Sequence, residues 1–284
     1  MSLPTAVVVS TLHSQAAHEF LSQSLSAPQS IAPLPRVCAQ LAELTAQQAT
    51  DAAQLARLIQ SDAALAGEIM RVANSPVLRP RSPIVSLQQA VSWLGVAEVR
   101  NIAMAVMLRG EVFTAPGHEP ESEELWREAS LAGLWAKEIA RERRKHVESA
   151  FLAALMHRSG AALALKILSG FEVRQRTVMD GQTFADLVVE FEPRFGRLLM
   201  DAWRLPDDVQ DAASEWRHYA KSSHSDLAGT VFAAHLLAAH TLHPQLLSEE
   251  LVLESPVFEQ LSVFPDDRRR VLAKRDQVRS LAGI

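Results

Sequence analysis

One cysteine, Cys38, stands among 284 residues. A disulfide within the chain needs two thiols and a thiolate zinc site needs several, so a secreted disulfide framework and a zinc ribbon are both excluded. A reducing compartment is expected. Glycine is scarce at 11 residues, aromatics make up 6%, and there is a single tyrosine. Basic charge is also short. With 28 Lys and Arg against 33 Asp and Glu, the formal charge is −5, which argues against a protein whose main task is gripping nucleic acid along one face. No Lys or Arg precedes the short apolar run Ala6–Val9, so the charged region of a signal peptide is missing. No stretch reads as the roughly 20 apolar residues that span a bilayer. These absences lead to the expectation of a cytoplasmic protein without membrane contact.

What the chain does contain is helix. Hydrophobic residues reach 48% and charged ones 21%, ordinary values for a folded globular protein. Ala and Leu dominate, and both lose little side-chain entropy in a helix. Apolar residues recur at helical spacing in Val37, Leu41 and Leu44, in Leu55, Leu58 and Ile59, and in Leu65, Ile69, Val72 and Ala73. Thr50-Asp51, Ser61-Asp62 and Ser86 stand where N-caps are needed. Asn74-Ser75-Pro76 reads as a stop with Asn74 in the left-handed C-cap, and Gly95 ends the segment Leu87–Leu94. After Pro4, Ala6–Val9 is β-branched and is the candidate for a short N-terminal strand, with Ser22–Ser30 as a linker.

Two prolines and two glycines between Gly110 and Ser122 mark the boundary between two halves. Beyond it, helices are predicted around Leu125–Ile139, Phe151–His157, Ala161–Leu168, Thr183–Phe191, Pro193–Trp203, Pro206–Trp216, Leu227–His240 and Asp266–Ala282. With no other alternating pattern to set against these, the class is all-α. The expected divisions are an N-terminal extension (1–30), a helical half (31–115), a second helical half (122–245) and a C-terminal helical extension (246–284).

Catalytic motifs are missing. There is no Gly-x-Gly-x-x-Gly, no Walker loop and no His-Glu-x-x-His, and nothing places a Ser or Cys nucleophile on a distinctive turn. Five tryptophans, at 93, 126, 135, 203 and 216, lie on or near apolar stripes without interleaved basic residues, so they read as core and not as a base-stacking platform. His235 and His240 are five apart on one helix and do not share a face as a metal pair would. Arg141–His146 reads as a solvated turn. Arg268, Arg275 and Arg279 form the basic side of an amphipathic terminal helix, the surface available to an acidic or phosphate-rich partner.

A set of longer motifs resembles the HDOD domain family, non-hydrolytic relatives of the HD-domain metal-dependent phosphohydrolases that serve as bacterial signal-transduction output modules. The residues that carry the likeness are Leu34-Pro35-Arg36-Val37, Leu58–Asp62 with Leu65, Ile69–Ser75 including Asn74 and Ser75, and Ile84–Gly95 ending on Leu94 and Gly95. Leu125-Trp126, Phe151–Gly160, Gly196 with Leu199 and Trp203, and Leu205-Pro206 continue it. The resemblance spans roughly residues 31–240 and implies an HD-related multi-helix bundle in two packed subdomains.

It also implies where a metal would have been. In HD enzymes the His at the end of this apolar helix is followed by a bridging Asp. Here His157 is followed by Arg158, a permanently charged guanidinium that repels a divalent cation. Glu128 stands where a further His is expected, and Trp216-Arg217 with His218 stands where relatives show paired histidines. Taken alone, His157 beside Gly160 reads as a capping or core histidine. Catalytic and metal residues are therefore expected to be none, and so are cofactors. Glu128, His157, Arg158, Trp216, Arg217 and His218 are candidates for a degenerate pocket, while Asn74, Ser75, Leu94, Gly95, Gly160, Gly196, Trp203 and Pro206 are structural. The expected function is a non-catalytic signalling module acting on protein partners. One alternative is a nucleotide or phosphate ligand held by Arg158 and Arg217, whose fork geometry suits phosphate oxygens. Another is residual metal-dependent hydrolysis.

Overall fold

The computed structural model describes residues 5–26, 40, 52–80 and 82–283, with side chains described from residue 14 onward. Among these residues there is no strand. The first helix is α1 (Thr5–Ser26), and the N-terminal half continues with α2 (Ala52–Ile59), α3 (Ala63–Ala73), α4 (Leu87–Leu94) and α5 (Val96–Glu111). The second half comprises α6 (Glu119–Glu142), α7 (Val147–Met156), α8 (Ser159–Gln175), α9 (Gly181–Ala202), α10 (Asp207–Ser214), a 3₁₀ turn at Trp216–Lys221 and α11 (Ser225–Leu242). Four short helices follow: α12 (Glu249–Leu253), α13 (Pro256–Gln260), α14 (Pro265–Leu272) and α15 (Arg275–Ala282).

Two separate hydrophobic cores form. Leu55, Ile59, Leu65, Ile69, Val91, Val99 and Ile102 make the smaller one in the N-terminal half. The larger is built on Trp135, Phe191, Phe195, Leu131 and Leu168, and it takes in Val112, Phe113 and Ala115 from the Gly/Pro-containing connection. Each fully buried Leu, Ile or Phe contributes roughly 1.5–3 kcal/mol relative to exposure, so both halves have an apolar reason to fold. The capping residues act as the spacing predicts. Asp62 accepts from the Leu65 amide at 2.9 Å and Ser86 from the Gln89 amide at 3.2 Å. Gly95, at φ +80°, lets the chain turn by 110° between α4 and α5. Thr50-Asp51, Leu34–Val37, Leu41, Leu44 and Cys38 lie outside the described residues.

Several expectations are corrected. Ala6–Val9 lies inside α1, not in a strand, and Ser22–Ser26 continues that helix where a linker was expected. A lone strand would leave its backbone groups unpaired, whereas a helix pairs them internally and lets Ala17 and Leu21 dock on the larger core. Pro193 sits within α9, so residues 181–202 are one helix where two were expected. Phe191, Phe195 and Leu199, all buried on the same side, hold the helix together through the missing amide.

Asn74 has φ −93° and is not left-handed. Instead its side chain donates to Met70 O (3.1 Å) and Ile84 O (3.0 Å) and accepts from Ile84 N (2.9 Å), pinning the loop between α3 and α4. The terminal basic segment forms two helices, not one. Several of its cations have internal partners: Arg268 donates to Val263 O and Leu253 O, Arg270 to Glu142 and Arg275 to Glu249. Arg143, expected in a solvated turn, is half-buried and donates to Leu261 O, Asp226 and Thr230. His240 donates to Leu247 O, in line with its structural reading. Val147–Gln175 does reach the length and apolarity of a membrane span, contrary to expectation, but 78% of it is buried inside the fold and it is broken at His157-Arg158.

Helices α8 and α9 cross at Gly160 and Gly196. A Cβ on Gly160 would stand 1.9 Å from Glu192 O and 2.6 Å from Gly196 N, whereas a Cβ on Gly196 would have no neighbour closer than 3.6 Å. Gly160→Ala is therefore expected to lower stability by about 1–3 kcal/mol through overpacking. Gly196→Ala should be neutral or slightly stabilising, since alanine gains up to about 1 kcal/mol of helix propensity over glycine. Urea midpoints of the two variants are the measurement, and equal midpoints would contradict the close crossing.

Candidate functional site

Five elements converge beside this crossing. Glu128 comes from α6, His157 and Arg158 from the junction of α7 and α8, Glu192 from α9, Trp216 and Arg217 from the 3₁₀ turn, and His235 from α11. The close approach at Gly160 brings Glu192 within reach of the residue two positions before it. Arg158 Nε donates to Glu128 Oε2 at 3.0 Å and its Nη1 to Glu192 Oε1 at 2.6 Å. Arg217 Nη1 lies 2.9 Å from Glu192 Oε2. Two guanidiniums thus meet two carboxylates, and the cluster is formally neutral. Glu192 is only 4% exposed. Its charge is tolerable there because each carboxylate oxygen faces a guanidinium.

The imidazoles form a second layer. His157 Nδ1 lies 2.5 Å from Ala154 O, and since a carbonyl only accepts, that nitrogen carries the proton. In a neutral ring Nε2 is then an acceptor, and His235 Nδ1 donates to it at 3.1 Å. Neutrality follows from the surroundings. Burial first, then His235 and Arg158, holds the His157 pKa well below the usual imidazole value. Burial first, then Arg158 and Arg217, pushes His235 down to about 3. The Trp216 ring stands edge-on to His157 at 5.0 Å between centroids and packs on His235 at 4.4 Å, and the Arg217 guanidinium lies over the same indole at 4.1 Å.

This donor set does not fit a divalent cation. Such a site needs free imidazole lone pairs and carboxylates converging on one point. Here the His157 lone pair is taken by His235, and the carboxylates are neutralised by Arg158 and Arg217. Among the described residues no group of three His, Cys, Asp or Glu could hold a metal. The cavity bordering His157, Glu192, Trp216 and Arg217 measures about 10 Å³, too small for more than a single water. A phosphate placed there would compete with Glu128 and Glu192 for the N–H donors of Arg158.

Of the six pocket candidates, the fold brings together Glu128, His157, Arg158, Trp216 and Arg217. His218 is exposed and turned away, its backbone amide closing on Glu215 O. Among the structural residues, Gly160 and Gly196 make the crossing, Gly95 the corner, and Trp203 is buried. Pro206 precedes α10, Leu94 packs on the smaller core, and Ser75 is buried 3.5 Å from Ser280 of α15. Sequence reasoning missed two members. His235 was readable, since it shares the spacing i, i+4, i+7 with Val231 and Ala238, both buried, and so lies on the inner face of α11. Glu192, beside a proline, carried no such signal.

A family model described as HDOD domain matches residues 31–219. Among proteins of curated function none matches this sequence. Solved structures do. One, from Shewanella amazonensis SB2B, is provisionally named a metal-dependent phosphohydrolase. It is 20% identical, covers 94% of this chain and 98% of its own, and superposes with a TM-score of 0.71. An HDOD domain protein of unknown function from Geobacter sulfurreducens is 17% identical over 94% of this chain and 98% of its own, with a TM-score of 0.69. A Marinobacter aquaeolei VT8 protein provisionally named for signal transduction is 20% identical over 95% of this chain and 66% of its own, at 0.66. At these identities the likeness establishes the fold.

Removing Glu192 alone leaves two guanidiniums facing no carboxylate on that side. Glu192→Ala is expected to cost about 3–5 kcal/mol, and the double variant with Arg158→Leu to recover part of it. Denaturant unfolding of the cycle would contradict the clamp if the two changes were additive. The imidazoles give a pH dependence of known sign. Their folded pKa values lie below the unfolded value near 6.5, so the unfolded chain binds more protons in between. Stability is then complete above pH 6.5 and falls on acidification, for His235 toward pH 3 and by up to roughly 1.4 kcal/mol per pH unit, with His157 acting in the same direction. Urea midpoints between pH 7.5 and 5 should drop less steeply for His235→Leu than for the native chain, and identical slopes would refute the assignment.

Proposed function

This chain belongs to the HDOD domain family, and on that footing we propose that it is a non-catalytic output module of bacterial cytoplasmic signal transduction, acting through contacts with protein partners. The observation that carries the reading is the Arg158 guanidinium bound between Glu128 and Glu192. In an HD-type frame this is the place where a hydrolytic enzyme needs ligands open to a cation and its water. The chain keeps the helical frame and fills that place with an internal ion pair. The name of the similar Marinobacter aquaeolei protein agrees with a signalling role.

A module of this kind works by shape. The neutral cluster joins α6, α8, α9 and the 3₁₀ turn, and the His157–His235 bond adds α11. The second half is thus one rigid body whose surface, not its interior, carries the output. Nucleotide binding at Arg158 and Arg217 gains no support from the geometry, because both cations already have carboxylate partners.

The full chain purified without chelator is expected to hold less than about a tenth of an equivalent of Mn, Fe or Mg. It should release no nitrophenol from bis(p-nitrophenyl) phosphate when Mn²⁺ is added, and affinity capture should return a reproducible stoichiometric protein partner. Metal near one equivalent together with phosphodiester turnover would overturn the reading and make the chain an enzyme.

A further inference from the structure

A cavity of about 490 Å³ opens at the seam between the two halves, bordered by α3, α5, α6, α7 and α15. That volume falls in the roughly 300–1,000 Å³ range typical of small-molecule sites. Its wall is mainly apolar, with Val72 and Ile102 from the smaller core, Phe113, Trp126 and Phe151 from the larger, and Leu281 from the terminal helix.

The polar side chains on this wall are three charged groups, the Thr114 and Ser130 hydroxyls, and Asn101. The charged ones are already paired: Glu68 with Arg71 at 2.6 Å, Glu98 with Lys137 at 2.5 Å and Arg109 with Glu123 at 3.0 Å. None of them is left to select a charged ligand. Asn101 differs. It is 8% exposed, it borders the cavity, and its side-chain amide has no hydrogen-bond partner among the described residues. The amide opens onto the cavity, so a ligand edge that both donates to it and accepts from it would engage its hydrogen-bonding groups against an otherwise apolar wall.

We propose that this seam is a binding site for a small neutral molecule carrying an aromatic ring system and one amide-like polar edge, with Asn101 reading the edge and Phe113, Trp126 and Phe151 holding the rings. Neutrality follows from the paired charges, aromatic character from the three rings, and the single polar edge from the single unpaired amide. Occupancy bears on the seam itself. Leu281 and Ala282 complete the wall, and the Leu281 carbonyl accepts from Arg71 Nη2 at 2.8 Å, so a bound molecule strengthens the hold of α15 on both halves. The site stands independently of the signalling reading, which rests on the Arg158 cluster.

The test uses the full chain and two probes, N-phenyl-1-naphthylamine, whose fluorescence rises in apolar surroundings, and 2-naphthamide, which carries the amide edge. N-phenyl-1-naphthylamine is expected to bind saturably at one site and to be displaced by 2-naphthamide. Asn101→Leu should weaken 2-naphthamide about tenfold while leaving N-phenyl-1-naphthylamine within about twofold. Ala105→Phe, which fills the cavity from α5, should weaken both at least tenfold. Ala282→Phe does the same from the opposite wall and decides the matter if the first variant fails to fold, each being checked by its melting midpoint. Absence of saturable binding, binding that survives both filled variants, or an Asn101→Leu chain that binds 2-naphthamide as the native one does would each overturn the proposal. None of these results alters the metal content or turnover that test the signalling reading.

Discussion

The second half of the molecule is organised around one ion-pair cluster, the Arg158 guanidinium donating to Glu128 and to the buried Glu192. A half-buried guanidinium is unfavourable unless its N–H groups find acceptors, and a carboxylate 4% exposed is unfavourable unless something positive faces it. Meeting both demands fixes the spacing of α6, α8 and α9 to within hydrogen-bond tolerance. Arg217 then closes the open side of Glu192, and its place over Trp216 settles where the 3₁₀ turn runs. The neutral imidazoles behind it are the complement: two cations nearby are compatible with His157 and His235 only because neither ring carries a proton beyond its neutral complement.

Much of this was legible from the chain. The all-α class followed from composition and spacing, and the caps at Asp62 and Ser86 from the chemistry of first-turn amides. Arg158, at the position where the family resemblance implies a carboxylate, marked a degenerate pocket. What escaped were features decided by tertiary contact. Glu192 is one acidic residue in a helix with several, and only the glycine crossing identifies it as the buried one. Pro193 reads as a break, yet packing on both sides carries the helix through. The Ala6–Val9 run has strand propensity, but among the described residues there is no strand to pair with, and it continues into the helix whose Ala17 and Leu21 dock on the larger core. The charges of Arg143 and Arg268 suggested solvent, whereas their long side chains reach backbone carbonyls of the C-terminal segment.

The two halves are joined by more than the connecting segment. Leu108 of α5 belongs to the larger core although Val99 and Ile102 of the same helix belong to the smaller, and Lys137 of α6 is buried against Glu98 of α5 and the Phe151 ring. The last helix adds a third attachment through Arg71 and Ser75. The seam is thus held by polar contacts around its edge with apolar surface inside, an arrangement in which modest shifts of α15 are felt in both cores.

The crossing at Gly160 has one more implication. The residue whose carbonyl touches the glycine is the same residue whose side chain neutralises Arg158, and the glycine lies two positions after that arginine. Steric contact and charge pairing are therefore measured along one short stretch of backbone, which acts as a ruler between α8 and α9. Lengthening it at either end misplaces the other, so the distance between these helices and the electrical balance of the interior can change only together.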